Sequence, residues 1–473
     1  MTAGLAFYAA CSPGSKTDTC ETNPQPGCPN YVEPDPCETN PQPGCPNYVE
    51  PDPCETNPQP GCPYYVDPCV ANPQPGCPNY DPVPVPVLAP TITLGTANYT
   101  VSSTYTEKFA DGFWYIRVTL NNSTKPLIIH AVRYKAGTPG YSIEAWSGKD
   151  SINGKETPSA MVKRYETAGR EVKVAINGGF YGMSTDGVPS GPEIVKGMMT
   201  YLGDVSQPII GFDSNNRPHM DFLKFNAKVK NKNGVESAIT TVNGITRNTN
   251  NMVLYNSAKG KRTGTNEWGA EVLCTPETGQ WEILDSYLNV SCQIDRIEPV
   301  SGKGNMAIPK GKIVLSGHGT ANTYLTDKLS AGDDVEVTVN YTLKTDSKVD
   351  ASVIRNAVAG YNIILQGNNI IEPNLNVYDD PTLITNSHPR TSVGFSADKE
   401  YVFFTVVEGR RAGVSAGVTT RELAQVMKYL GAANAINLDG GGSSCLIVDK
   451  TRKNVMSDGS ERAVCNGLAI IKK

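Results

Sequence analysis

Residues 20–90 of this 473-residue chain contain neither lysine nor arginine, and nowhere does an apolar run approach the roughly 18–20 residues that span a bilayer. The second absence excludes a transmembrane helix from the body of the chain. Histidine is scarce, with four scattered copies, and no basic stripe or arginine-rich helix occurs, which argues against nucleic acid as a partner.

What is there is unevenly spread. Residues 20–90 hold 21 of the 35 prolines, eight of the 13 cysteines and nine acidic residues. Residues 91–473 carry 41 basic and 37 acidic residues, a net charge of +4, although the whole chain stands at −5. The chain therefore reads as an acidic arm joined to a nearly neutral body, and the body is long enough for a large core.

The arm is an internal repeat. Copies begin at Cys20, Cys37, Cys54 and Cys69, with periods of 17, 17 and 15, and each sets two cysteines eight positions apart around Asn-Pro-Gln-Pro-Gly. Proline fixes φ and removes donors, so this stretch builds neither helix nor sheet and has few apolar groups to bury. The repeat unit suggests the loops Cys20–Cys28, Cys37–Cys45, Cys54–Cys62 and Cys69–Cys77, although eight cysteines permit 105 connectivities. Zinc is disfavoured by spacing that is not Cys-x-x-Cys and by the lack of nearby histidine. A stalk, a disordered linker and a self-associating fibre element all remain open. Paired thiols in this number place the chain in an extracytoplasmic, oxidising compartment, secreted or at the cell surface. Ahead of the arm, residues 1–19 resemble the remnant of a lipoprotein signal. A short apolar stretch ends in small residues before Cys11, the lipidation candidate and the only expected link to a membrane.

From residue 91 the pattern changes to short β-rich runs. Strands are expected at 100–106, 112–120, 126–134 and 172–176, helices at 157–169 and 420–430, and a mostly β lobe at 201–350 with turns at Asn233-Gly234 and Asn243-Gly244. The expected class is α+β: a sheet-rich body with a few packed helices over 91–473, preceded by an arm, 20–90, without regular secondary structure. Cys274 and Cys292, and Cys445 and Cys465, are expected on neighbouring strands close enough to bridge.

Three segments are unusual for plain core: Ala175–Gly182, Ser387–Gly394 and Asn434–Ser444. In the third, Gly440, Gly441 and Gly442 follow a strand and would let backbone N–H groups approach an anion, with Ser443 and Ser444 adding hydroxyls. Asp439, at the strand's end, is a carboxylate able to act as acid, base or ligand.

Together these segments resemble the phosphodiester glycosidase family, that of N-acetylglucosamine-1-phosphodiester α-N-acetylglucosaminidase and its secreted bacterial relatives. Residues 253–272, 308–319 and 461–468 extend the likeness, which runs from about residue 100 to 471. The resemblance implies hydrolysis of a sugar-1-phosphodiester at the glycosidic C1–O bond. It implies Asp439 as central carboxylate, Arg390 as phosphate clamp with Thr391 beside it, and Asn177 as a pocket contact with Gly178 and Gly179. Gly440–Ser443 would form the cradle, Arg462 a second cation and Glu461 a second carboxylate, whose distance from Asp439 separates retaining from inverting mechanisms. His388, like His318, flanks a matched motif; each could be an acid/base, though a satisfied structural histidine is the plainer reading. The chain departs from the family at Tyr361 and Asn362, where relatives tend to read Gly-Gly-Pro, and those side chains could narrow the pocket. No metal or cofactor is implied, although Asp439 with Asp379 and Asp380 could hold a cation. Two other functions compete with hydrolysis: a glycan-binding module without turnover, and a structural or adhesive subunit assembled through the arm.

Overall fold

The longest β-rich runs pair with one another. Phe113–Asn121 and Leu127–Lys135 form the middle of a nine-stranded antiparallel sheet with Ala97–Ala110 on one side. On the other side follow Tyr401–Val407, Arg390–Phe395, Asn434–Asn437 and Asn362–Gln366, so the sheet joins the two ends of the body. The structure, a computed structural model, describes residues 85–473 apart from 123, 183–186, 300–302 and 373–380, and in the arm residues 32, 43–46 and 62.

Alternation decides how this sheet is covered. On one face Ile116, Ile129 and Ala435 pack against Leu423, Val426 and Met427 of the helix Thr420–Tyr429. Burying each such leucine, valine or methionine contributes about 1.5–3 kcal/mol. The helix starts at a complete capping box, in which Thr419 accepts from the Glu422 N–H and the Glu422 carboxylate accepts from the Thr419 N–H. On the other face Tyr115, Val132, Phe404 and Ile436 meet Val174, Ile176, Leu446 and Leu468 of a five-stranded sheet. That sheet has the order Thr451–Arg452, Leu446–Val448, Val172–Asn177, Asn466–Lys472, Tyr141–Ser147. The helix Pro158–Thr167 is also where the sequence puts it, capped by Thr157 with proline at its first position.

Within the region 201–350, residues 223–343 build an eight-stranded sheet with the helix Thr320–Asp327 against it, while Ile209–Phe212 and Pro218–Asp221 belong to a separate five-stranded sheet. Asn233-Gly234 makes the expected turn, between Leu223–Asn231 and Glu236–Ile239. Asn243-Gly244 makes no hairpin. Thr241–Val242 pairs in parallel with Met252–Tyr255, and Asn243 is fully buried, its amide donating to the Thr200 carbonyl and to Asn256 Oδ1.

The chain divides into two compact units, Met1–Pro82 and Val83–Lys473. In the first, Pro43-Gly44 forms a turn with Gly44 at φ +107°, and Cys45 and Cys62 each take part in a disulfide. Cys11, Cys20, Cys28, Cys37, Cys54, Cys69 and Cys77 lie outside the described residues, so their pairing and lipidation do too.

The four body cysteines correct the sequence reading, because all are free and buried. Cys274 stands opposite Ile294, and Cys292 opposite Pro276, so the two thiols are diagonal rather than facing. Cys445 and Cys465 are not on paired strands: Val172–Asn177 runs between Leu446–Val448 and Asn466–Lys472. No helix among the described residues is long and apolar enough to cross a membrane.

Candidate active site

Two sheets deliver their strand ends to one place. Antiparallel pairing sets Ser392 opposite Asn437, so Arg390 and Asp439 emerge at the same edge of the nine-stranded sheet. Val172–Asn177 ends there from the five-stranded sheet, and Asn177 holds the junction. Its Nδ2 donates to the Asp439 carbonyl at 2.7 Å, while its Oδ1 accepts from Thr391 Oγ1 at 2.9 Å and from the Cys445 N–H at 3.0 Å. The Asp439 N–H in turn donates to the Gly178 carbonyl at 3.0 Å.

The resulting pocket, about 260 Å3, is lined by Phe180, Tyr181, Leu383, His388, Arg390, Arg410, Asp439, Gly440, Gly441 and Arg462. Among the described residues, Asp439 is the only carboxylate in that lining. Burial raises its carboxyl to about 6, opposed by the Ser443 hydroxyl, the Arg462 charge and the Gly440 N–H. It thus remains ionised at neutral pH yet is more basic than an ordinary aspartate.

Three guanidinium groups face this carboxylate's pocket. Arg390 is 4% exposed and donates from Nε to the Val418 carbonyl at 3.0 Å and from Nη2 to the Asn386 carbonyl at 2.9 Å. Its partners are neutral, so its charge is not cancelled. Burial brings it down to about 10, with the Arg410 charge acting in the same direction, and it stays cationic at neutral pH. Arg462 donates to Asp458 at 2.5 Å and stands 3.5 Å from Ser443 Oγ. Arg410 lies 3.7 Å from Asp458 and 3.4 Å from His388 Nδ1.

Of the residues expected from the sequence, Asp439, Arg390, Arg462, His388, Gly440 and Gly441 line the pocket and Ser443 adjoins it. Others are elsewhere. Asn177 and Thr391 are fully buried, hold the junction and are not in the pocket lining. Gly178 and Gly179 pack against Asn466, whose Oδ1 accepts from the Gly179 N–H at 2.9 Å.

Glu461 is not a second carboxylate of the site. It accepts from the Ser159 N–H at 2.9 Å and from Ser159 Oγ at 2.5 Å, which puts it on the positive N-terminus of the helix Pro158–Thr167. Within the expected cradle Gly440–Ser443, the N–H groups of Gly441 and Ser443 donate to the carbonyls of Pro389 and Gly440, and that of Ser444 donates to the carbonyl of Gly441, so these three are engaged by the backbone. Gly442 is required for close approach, because a Cβ there would stand 1.7 Å from Asp458 Oδ2.

Tyr361 reaches the pocket indirectly, its ring 4.7 Å from that of Phe180. His318 is not among the lining residues. Asp379 and Asp380 lie outside the described residues, among which no group of three potential metal ligands is gathered. Arg410, Asp458 and Tyr181 were not singled out from the sequence. The paired arginines between Gly409 and Gly413 were the available signal for Arg410.

Known proteins resemble parts of this chain. Residues 289–471 match the family model for phosphodiester glycosidase. An 83-residue stretch, 18% of the chain, is 41% identical to the SPbeta prophage-derived uncharacterized protein YomE of Bacillus subtilis (strain 168), and spans 13% of that protein's length. A hypothetical protein from Synechocystis shares the fold at a TM-score of 0.61 and 16% identity, over 78% of this chain and 64% of that one. A protein from Burkholderia pseudomallei K96243, described as exported, shares it at a TM-score of 0.56 and 18% identity, over 73% and 74% of the two chains.

Proposed function

We propose that this chain, whose residues 289–471 match the phosphodiester glycosidase family model, hydrolyses a sugar-1-phosphodiester in an extracellular or surface glycan. One observation carries the reading: among the described residues one carboxylate, Asp439, lines a pocket with three guanidinium groups, of which Arg390 has no carboxylate partner while Arg410 and Arg462 also meet Asp458.

A phosphodiester brings one negative charge on two equivalent oxygens. Arg390, Arg410 and Arg462 receive it, each charge-assisted bond contributing about 1.5–3 kcal/mol. Asp439 takes a proton from a water molecule as that water's oxygen bonds to C1 of the sugar. The C1–O bond breaks with its electron pair leaving on the phosphate oxygen, and the Asp439 proton returns to the departing phosphate. The products are a free sugar and a phosphomonoester. Because the guanidinium groups stabilise the leaving anion, the scheme needs no second carboxylate, which fits the place of Glu461 on a helix cap.

The disulfide-bonded Cys45 and Cys62 support an oxidising, extracytoplasmic setting, in which the repeat arm acts as a stalk. The test is turnover by the full chain on UDP-N-acetylglucosamine and other sugar-1-phosphodiesters, with Asp439→Ala and Arg390→Ala abolishing sugar release. Failure of the whole panel would overturn the reading. Glycan binding without product would favour a binding module instead.

A further inference from the structure

A second cavity opens beside the first, on the other side of the segment 408–411. Its volume is about 580 Å3, and its lining includes Tyr115, Arg117, His130, Glu408, Arg411 and Lys453. Arg410 and Arg411 are consecutive, and one enters each cavity. The loop after Leu446–Val448 behaves alike, sending Lys453 here and Asp458 to the arginines of the first pocket.

The floor of this cavity is a closed hydrogen-bond chain. The Tyr115 hydroxyl lies 2.8 Å from His130 Nδ1, and His130 Nε2 lies 2.9 Å from Glu408 Oε1. Glu408 also accepts from the Val455 N–H at 2.9 Å and from Arg411. His130 and Glu408 are 2% and 3% exposed. Removing one member of such a chain is costly and apolar replacements often cost nothing, so stability alone does not account for it.

Glu408 is thus occupied by Arg411, His130 and the Val455 N–H. Arg117, on the strand Phe113–Asn121, and Lys453 face the same cavity, and among the described residues no carboxylate lies within ion-pair distance of either. Lys453 is held over the Tyr115 ring, 4.9 Å from its centroid. Glu107 lies opposite Tyr115 on the neighbouring strand, where it accepts from Tyr105 at 3.2 Å. It makes no ion pair with Arg117 among the described residues. Three basic side chains from three separate elements thus converge over a polar floor, two of them, Arg117 and Lys453, without an ion pair among the described residues and the third, Arg411, paired with Glu408. A carboxylate is filled by one arginine fork, whereas donors arriving from three directions suit a tetrahedral oxyanion.

We propose that this cavity is a second anion site, binding a phosphoryl group through Arg117, Lys453 and Arg411 over the Tyr115–His130–Glu408 floor. It is independent of turnover in the first pocket.

The test is calorimetric titration of the full chain with inorganic phosphate in an Arg390→Gln background, which disables the first pocket's clamp. Phosphate binding is expected to persist there, to weaken about tenfold or more when Arg117→Gln and Lys453→Gln are added, and to exceed binding of acetate. Because Arg117 is exposed and Lys453 half-exposed, these substitutions leave the core intact. Lys453→Glu alone is expected to weaken phosphate further than Lys453→Gln. Absence of phosphate binding in Arg390→Gln, or binding unaltered by the Arg117 and Lys453 substitutions, would overturn the proposal.

Discussion

Asn177 donates from Nδ2 to the backbone carbonyl of Asp439 at 2.7 Å, so the last residue of a strand in one sheet fixes where the carboxylate leaves the other. The same side chain accepts from Thr391 and Cys445, and these three hydrogen bonds are buried or nearly so. Asn177→Ala is expected to destabilise the fold by about 1–3 kcal/mol, because it leaves buried polar groups unpaired. Turnover should fall with it, although Asn177 is not in the pocket lining. Chemical denaturation alongside a kinetic assay checks both.

Asp439 makes stability and activity respond to pH in opposite senses. Its folded carboxyl titrates at about 6, above its ordinary value of 3.8, because burial disfavours the charge. The stabilisation from holding that proton is fully present below about 3.8 and is lost as pH rises through about 6. Activity needs the ionised form, so it should rise over the upper part of the same window. Melting temperatures of wild type and Asp439→Asn across pH 4–7 should converge at the acid end, with wild type falling relative to the variant as pH increases.

Arg390→Lys should not rescue activity. Two of the guanidinium nitrogens are fixed by the Val418 and Asn386 carbonyls, which aims the group, and an ammonium cannot reproduce that fork. Sugar release by Arg390→Lys close to that of wild type would contradict the clamp.

Glu461→Gln separates helix capping from catalysis. Because Glu461 binds Ser159 at the start of the helix Pro158–Thr167, the substitution should cost about 0.5–2 kcal/mol of stability and leave turnover per folded molecule unchanged. A collapse of turnover with stability preserved would return Glu461 to the site.

The four body thiols should be silent toward a thiol reagent in the native protein and react once it is unfolded without reductant. Each is buried and free, and burial pushes each thiol up, well away from thiolate formation. Failure to react after unfolding would restore the two bridges expected from the sequence.

Local signals carried well from sequence to structure. Thr157 and Thr419 cap helices where they were expected, and the β-rich runs 112–120 and 126–134 became neighbouring strands. Asp439 and Arg390 were legible because strand ends followed by glycine or preceded by proline are unusual in a core. What failed depended on strand order and register, which the sequence does not state. Cys445 and Cys465 look like neighbours until Val172–Asn177 inserts between their strands. Glu461 sits next to Arg462 in the chain, yet the backbone turns one residue toward a helix and the other toward the pocket. Arg410 escaped notice because its role depends on Asp458 and His388, which meet it only in the folded chain.

The central claim is that water attacks C1 and that the C1–O bond, not a P–O bond, is broken. Hydrolysis of a sugar-1-phosphodiester by the full chain in 18O-labelled water, with products read by mass spectrometry, tests it directly. The account predicts label in the hydroxyl at C1 of the released sugar and none in the phosphomonoester, with both products absent in Asp439→Ala. Label appearing in the phosphate would contradict it.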